Sequence, residues 1–476
     1  MLATLLLSVL ADGPYFATGI KVVEPSPTSV VVWTRLTAEP SRNETGPAFE
    51  RDSDAVPAGR TLAEMRESAA GSPGEVRLTY GNRAGHSGET AWTAVDPDAD
   101  FTRVFRLEGL VPGSDYVCTA AARPAGGSDQ STAFTFQFRT PPRPDADAGV
   151  RFVVIGCQDY GRRDTPDGHR VYESMLDLQP IDPFRDDQRP DFFVHTGDVV
   201  YYDQGPVLAK TPELARYKWA ATYSLPHERR FHANVAGFFQ RDDHDTTRDD
   251  AWPGKDYGRL GWDEGLDLFA EQTAVPDPPY RTLRWGRHLQ VWITEGRRYR
   301  SANTMPDGPD KTIWGAEQKR WLKDSMTASD ATWRVLVNAT PVVGPDRKNK
   351  KDNHANAAFA HEGHEVRAFL ASLERDGVPN AVVINGDRHW QYVSVDGETG
   401  LREFSVGATS DKRAGGWKDS DVRPQHRYLA VRGGFLSGTV DAAEGTLTLR
   451  HHDTRGAVLN AVALPGPVPD RAGGPR

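Results

Sequence analysis

The feature that most limits how this chain can fold is a series of apolar runs after residue 150 that alternate with helical stretches. Strands are expected at Arg151–Cys157, Phe192–Asp198, Phe238–Asp243, His288–Thr294, Trp333–Thr340 and Ala381–Asp387. Helices are expected at Gly168–Leu178, Pro212–Ser224, Glu317–Met326 and Glu362–Asp376. Strands alternating with helices build a layered α/β domain. From Gln391 the chain reads mostly as strand, through Tyr428–Arg432 and Gly445–His452. This places one α/β domain over 150–462, with a disordered tail over 463–476.

The first part of the chain has a different pattern. Between residues 13 and 140 it reads as all-β, with β-branched or alternating runs at Thr28–Leu36, Glu75–Tyr80, Phe101–Leu107 and Phe134–Phe138. The turn Leu110-Val-Pro-Gly113 leads into Asp115-Tyr-Val-Cys118. Such a turn is like the corner of an immunoglobulin- or fibronectin-III-like sandwich, where a Tyr hydroxyl bonds back to nearby backbone. Cys118 is then a small buried core residue. Residues 38–73 read as a long polar loop with little to bury. Pro141-Pro-Arg-Pro, continuing to Gly149, is a polar linker between the two parts.

Composition removes several classes. Lys+Arg 57 against Asp+Glu 66 gives a net charge of −9, which is no footprint for nucleic acid. Two cysteines exclude a disulfide scaffold and a zinc finger. No run approaches the ~20 apolar residues of a membrane-spanning helix. Residues 1–12 begin with Met-Leu-Ala-Thr-Leu-Leu-Leu and read either as a truncated export signal without its basic start or as a first strand. Export is the expectation, although no complete signal peptide or twin-arginine motif is present. Nothing in the sequence selects an oligomeric state.

Four of the expected strands end in residues that bind metal. They deliver Cys157-Gln-Asp-Tyr160, then Gly197-Asp-Val-Val-Tyr201, then Asp242-Asp-His-Asp245 continuing to Asp249-Asp250, and last Gly386-Asp-Arg-His389. In open α/β sheets function gathers beyond the carboxyl ends of the strands. Each piece alone has a bland reading as a turn, a buried thiol or a solvated loop; the four together do not. Thiolate and phenolate suit Fe³⁺, or Zn²⁺ for the thiolate, and carboxylates suit Ca²⁺, Mg²⁺ or Mn²⁺.

These four boxes resemble those of the PhoD-like alkaline phosphatases, within the calcineurin-like and purple-acid-phosphatase-like metallophosphoesterases. Thr294-Glu-Gly-Arg-Arg-Tyr-Arg300 and Gly315-Ala-Glu-Gln318 add to the resemblance. It implies a four-layer αββα sandwich behind an N-terminal all-β domain. It also implies a ferric ion held by Cys157, Asp198, Tyr201 and His389, with Asp198 bridging to a divalent ion, Ca²⁺, held by Asp387 and Asp249. The family usually has Asn at the last position; Asp249 keeps an oxygen donor and adds a negative charge.

The implied activity is hydrolysis of phosphate esters, small or polymeric, by metal-activated hydroxide at a two-metal centre, as an alkaline phosphatase or a phosphodiesterase. His244 is the candidate to protonate the leaving oxygen, with Asp243 or Asp245 orienting its ring. Arg388 is a candidate oxyanion contact, or else a surface salt bridge. The run Arg347-Lys-Asn-Lys-Lys351 reads better as a solvated loop than as a substrate guide. Three alternatives stay open: a degenerate binding module, a sulfate-ester hydrolase, and a glycan hydrolase with an Asp pair, which leaves Cys157 without a purpose.

Overall fold

The structure, a computed structural model, describes residues 13–128, 130–178 and 189–466. The expected signal segment 1–12 and most of the expected tail lie outside the described residues. Two large sheets dominate. The first has nine strands, in the order Val458–Leu464, Leu447–His452, Phe435–Val440, Val150–Ile155, Phe192–His195, Gly237–Phe239, Ile20–Val23, Ser29–Arg35 and Thr102–Glu108. The second has seven: Arg281–Trp285, Leu289–Ile293, Trp333–Asn338, Ala381–Asn385, Arg402–Val406, Gln391–Val395 and His426–Ala430.

The strands at the centre of each sheet are parallel. Such strands are buried on both faces, which is why they read as unbroken apolar runs rather than alternating ones. One face of each sheet meets the other sheet: Phe152, Val154, Phe192 and Val194 pack with Trp285, Val291, Val335 and Ile384. The opposite faces are covered by helices. Pro212–Tyr223, Pro226–His232 and Trp262–Thr273 lie on the first sheet, and Gly315–Ala328 and Ala360–Ala371 on the second. The result is the αββα sandwich. The helices Pro226–His232 and Trp262–Thr273 are additions to the sequence reading.

The N-terminal part is all-β, but it is joined to the rest by more than the linker. Val23 pairs in parallel with Gly237, so three N-terminal strands extend the first large sheet. A separate sheet, built on Glu75–Asn82, Asp115–Arg123 and Thr132–Arg139, closes over them, and Val30, Val32, Leu78, Tyr116 and Cys118 fill the space between. The expected corner is present: the Val111 N–H donates to Tyr116 Oη at 2.9 Å. Cys118 is a free buried thiol, raised by burial to about 12. The loop over 38–73 corrects the sequence reading, because it does bury side chains. Phe49 and Met65 enter the helix-covered core, and the Tyr217 hydroxyl donates to Arg66 O at 2.7 Å.

The inter-sheet core generates the first prediction. Phe152 is buried and stacks on Phe192 with centroids 5.3 Å apart and planes 9° apart. Phe152→Ala removes a ring that both sheets share. It should cost about 3–5 kcal/mol, seen as a lower urea midpoint by circular dichroism; an unchanged midpoint contradicts this packing.

Candidate metal centre

The central strands stop earlier than the sequence pattern suggests, at Ile155, His195, Phe239 and Asn385. The reason lies in the residues that follow. Cys157, Asp198 and Asp387 all have positive φ, at 56°, 56° and 60°. A left-handed residue ends a strand and turns its side chain out of the ladder. Each ligand candidate therefore stands just past the last paired residue. The loops are still tied together, since the Cys157 N–H donates to Gly197 O at 3.2 Å and the Gln158 N–H to Asp198 O at 2.7 Å. The second sheet is fastened to the first at the same end, where Gln240 Nε2 donates to Thr294 O at 2.6 Å and Val337 O at 3.2 Å.

Two glycines allow this close approach. A Cβ on Gly197 would sit 2.5 Å from Asp242 Cβ, and one on Gly386 would sit 2.1 Å from Thr196 Oγ1 and 2.7 Å from Thr196 Cβ. Both are distances that side chains do not tolerate.

Among the described residues, three groups of atoms that could hold a metal ion form here, each with its atoms within 4.8 Å of one another: Cys157, Asp198 and His389; Asp198, Asp243 and His244; Asp243, Asp249 and Asp250. Asp198 belongs to the first two and Asp243 to the last two, so the groups make one continuous cluster. Soft and nitrogen donors stand at one end and carboxylates at the other. Tyr201 is buried and its hydroxyl donates to Asp198 Oδ2 at 2.8 Å. Asp387 is buried beside Arg388, with Oδ2 2.6 Å from Nη1.

The electrostatics call for added positive charge. Burial raises Asp198 to about 6 and Asp387 to about 8, against the pull of nearby cations. Asp198 Oδ1 and Asp242 Oδ2 are buried without a hydrogen-bond partner among the described residues. Burial, with Asp198 and Asp387 nearby, pushes the Cys157 thiol up, and burial likewise pushes up the Tyr201 phenol. An uncompensated buried carboxylate costs several kcal/mol, roughly, and a metal ion both offsets that cost and deprotonates a thiol. The residues present fit metal ions.

Several roles differ from those the sequence suggested. His244 is oriented by Asp203, whose Oδ1 is 2.6 Å from Nδ1, and not by Asp243 or Asp245. Asp243 instead accepts from the Asp250 N–H at 2.6 Å and lies 3.6 Å from Arg297 Nη2; Asp245 accepts from the N–H groups of Val199 and Asp242. Arg388 is not a surface pair. Its guanidinium is fully buried among Asp387, Asp346 and Asp352, because burial without carboxylates on every side would be too costly. Asp249 is at the mouth, its side chain 64% exposed. The run 347–351 is not wholly solvated, since Lys350 turns inward onto Asp249 and Asp250.

Sequence reasoning missed Asp203 and Arg413, and it read Lys350 only within a basic run favoured as a solvated loop over a substrate guide. The Arg413 guanidinium lies 4.4 Å over the Tyr201 ring and donates to Gln204 Oε1 at 2.9 Å. Asp203 follows Tyr201 by two residues and was within reach of the strand-end signal; the other two come from distant loops. His195 is a core residue, stacked on Phe239 and lowered by burial to about 3. His354 is buried against Glu362, while His361 and His364 are exposed.

Fold and site together define a metallophosphoesterase. A solved structure of PhoD matches with a TM-score of 0.69 at 19% identity, over 95% of this chain and 89% of that one. The purple acid phosphatase PPD1 from yellow lupin (Lupinus luteus) seeds matches with a TM-score of 0.64 at 12% identity, over 96% and 75%. Alkaline phosphatase D of Bacillus subtilis (strain 168) is 20% identical over 503 residues, covering 89% of this chain and 75% of the relative. The family model for PhoD-like phosphatase matches residues 152–432, and the chain belongs to that family. It is a metal-dependent phosphoester hydrolase.

Gly386→Ala tests the geometry that brings the strand ends together. The added methyl meets Thr196 Oγ1. Both the melting temperature and the metal retained through gel filtration should fall; wild-type values for both contradict the close approach.

Proposed function

We propose that this chain hydrolyses phosphate esters at a mixed Fe³⁺–Ca²⁺ centre. One observation carries the reading: Asp198 is shared between a group with a thiol and an imidazole and a group that leads into carboxylates alone. Thiolate and phenolate donors favour the ferric ion, and a carboxylate set favours the larger, harder calcium ion. Cys157, Tyr201, His389 and Asp198 would hold the first, and Asp198, Asp387 and Asp249 the second. Bound there, such ions neutralise phosphoryl charge and lower the pKa of water.

The chain's own residues supply orientation and a proton. Asp203 fixes the His244 ring, leaving Nε2 toward Asp249 Oδ1, 3.7 Å away at the open edge. Burial alone would lower His244; Asp243, Asp203 and Asp198 outweigh it and hold it well above the usual imidazole range. An imidazole held by Asp203 and facing the mouth is placed to donate a proton to a leaving oxygen. Arg297 pairs with Asp242 at 2.6 Å and stands 3.6 Å from Asp243, keeping the carboxylates in place while the ring acts. Arg388 orients Asp387 and acts as a positioning residue. Export belongs to the same reading, on the likeness to PhoD-like alkaline phosphatases.

Two variants test these roles. His244→Ala should lower kcat on aryl phosphate monoesters by about 10²–10⁴ with metal content unchanged; near-normal turnover would remove its role. Asp203→Asn removes one of the charges that raise His244. The alkaline limb of kcat should therefore move to lower pH, and an unmoved limb contradicts the assignment. Parallel assays on bis-aryl phosphate give the monoester and diester preference.

A further inference from the structure

Lys350 is the residue that the mechanism above leaves without a task. It comes from the loop that follows Trp333–Asn338, and its side chain is only 15% exposed, whereas its neighbour Lys351 is exposed. The chain folds this ammonium inward, onto Asp250 Oδ1 and to 3.4 Å from Asp249 Oδ1. His244 Nε2 approaches the same Asp249 Oδ1, at 3.7 Å. Two nitrogen groups from different loops thus converge on one oxygen atom. That atom belongs to a side chain 64% exposed, at the mouth of the cluster and grouped with Asp243.

We propose that Lys350 binds the substrate: with His244 it receives a phosphoryl oxygen of a phosphate ester at the position that Asp249 Oδ1 now fills. The inference rests on the phosphate-ester reading above and names a residue that contacts that substrate. Three features support it. An exposed carboxylate contributes little as an ion-pair partner, so a phosphate with up to two negative charges displaces it. Asp250, the less exposed partner, keeps the ammonium in place when Asp249 turns away. A lysine offers three donors on a flexible stem, which suits following a phosphate between its bound positions. Released from Lys350, the Asp249 carboxylate is free for the second cation, which joins its two tasks in one movement.

The test is calorimetric titration of inorganic phosphate into metal-loaded wild type, Lys350→Gln, Lys350→Arg and Lys351→Gln, with elemental analysis of each. Losing one charge-assisted contact should weaken phosphate binding about tenfold or more in Lys350→Gln. Metal content should be unchanged, Lys350→Arg should recover most of the loss, and Lys351→Gln should stay within about twofold. Lys350→Ala serves the same comparison if the glutamine variant folds poorly. Wild-type affinity in Lys350→Gln overturns the inference. So does an equal loss in Lys351→Gln, which would mean a general field, or a loss of metal in Lys350→Gln, which would tie Lys350 to the cations instead. A wild type that is metal-loaded yet binds no phosphate overturns the phosphate-ester reading itself.

Discussion

The concentration of carboxylates at one edge of a dry sandwich is the constraint on which the rest depends. Asp198, Asp242, Asp243, Asp245, Asp352 and Asp387 are all buried there. Like charges this close cannot coexist without cations. Arg297, Arg300 and Arg388 are buried beside them, and Lys350 and Arg413 close in from later loops. Even so, Asp198 Oδ1 and Asp242 Oδ2 have no hydrogen-bond partner among the described residues. The chain supplies part of the balancing charge in arginines and leaves the remainder to metal ions. Where the fixed cations stand therefore determines where the ions can bind.

The same constraint explains the backbone. Parallel strands bring side chains to one edge, but a strand points alternate residues to opposite faces and keeps its polar groups in the ladder. Turning Cys157, Asp198 and Asp387 into the left-handed region takes each out of the ladder and sets it on the common edge. Gly197 and Gly386 then let adjacent loops approach where a methyl group would collide. The arginines hold the carboxylates still, so the site is organised before any ligand arrives.

Much of this was legible in the sequence. Buried parallel strands produce unbroken apolar runs, and the boxes holding Cys157, Asp198, Asp243 and His389 were readable at the ends of those runs; that His389 arrives from the second sheet was not. The limits are local. Strand ends were placed too late because an apolar run does not reveal where φ changes sign. The loop over 38–73 looked unburied because Phe49 and Met65 are isolated apolar residues in a polar stretch, and their partners lie far along the chain, as where Phe49 meets Tyr217 of the helix Pro212–Tyr223. The fusion of Ile20–Val23 to Gly237–Phe239 is a pairing across more than two hundred residues, which no local pattern encodes. Arg388 looked like a ligand contact because it stands between two candidate metal ligands; besides its neighbour Asp387 its carboxylates, Asp346 and Asp352, come from a loop some forty residues earlier. The inward turn of Lys350 and the placement of Arg413 were hidden for the same reason, since both reach the cluster from distant loops.

The central claim is that the edge cluster holds a transition metal through a thiolate. Elemental analysis of the protein purified without added metal, beside Cys157→Ala, tests it most directly. Close to one iron per chain is expected in the wild type and a large loss in the variant, with the calcium-type sites less affected. Iron retained at the wild-type level in Cys157→Ala, or no tightly bound transition metal in either protein even after loading, would contradict it.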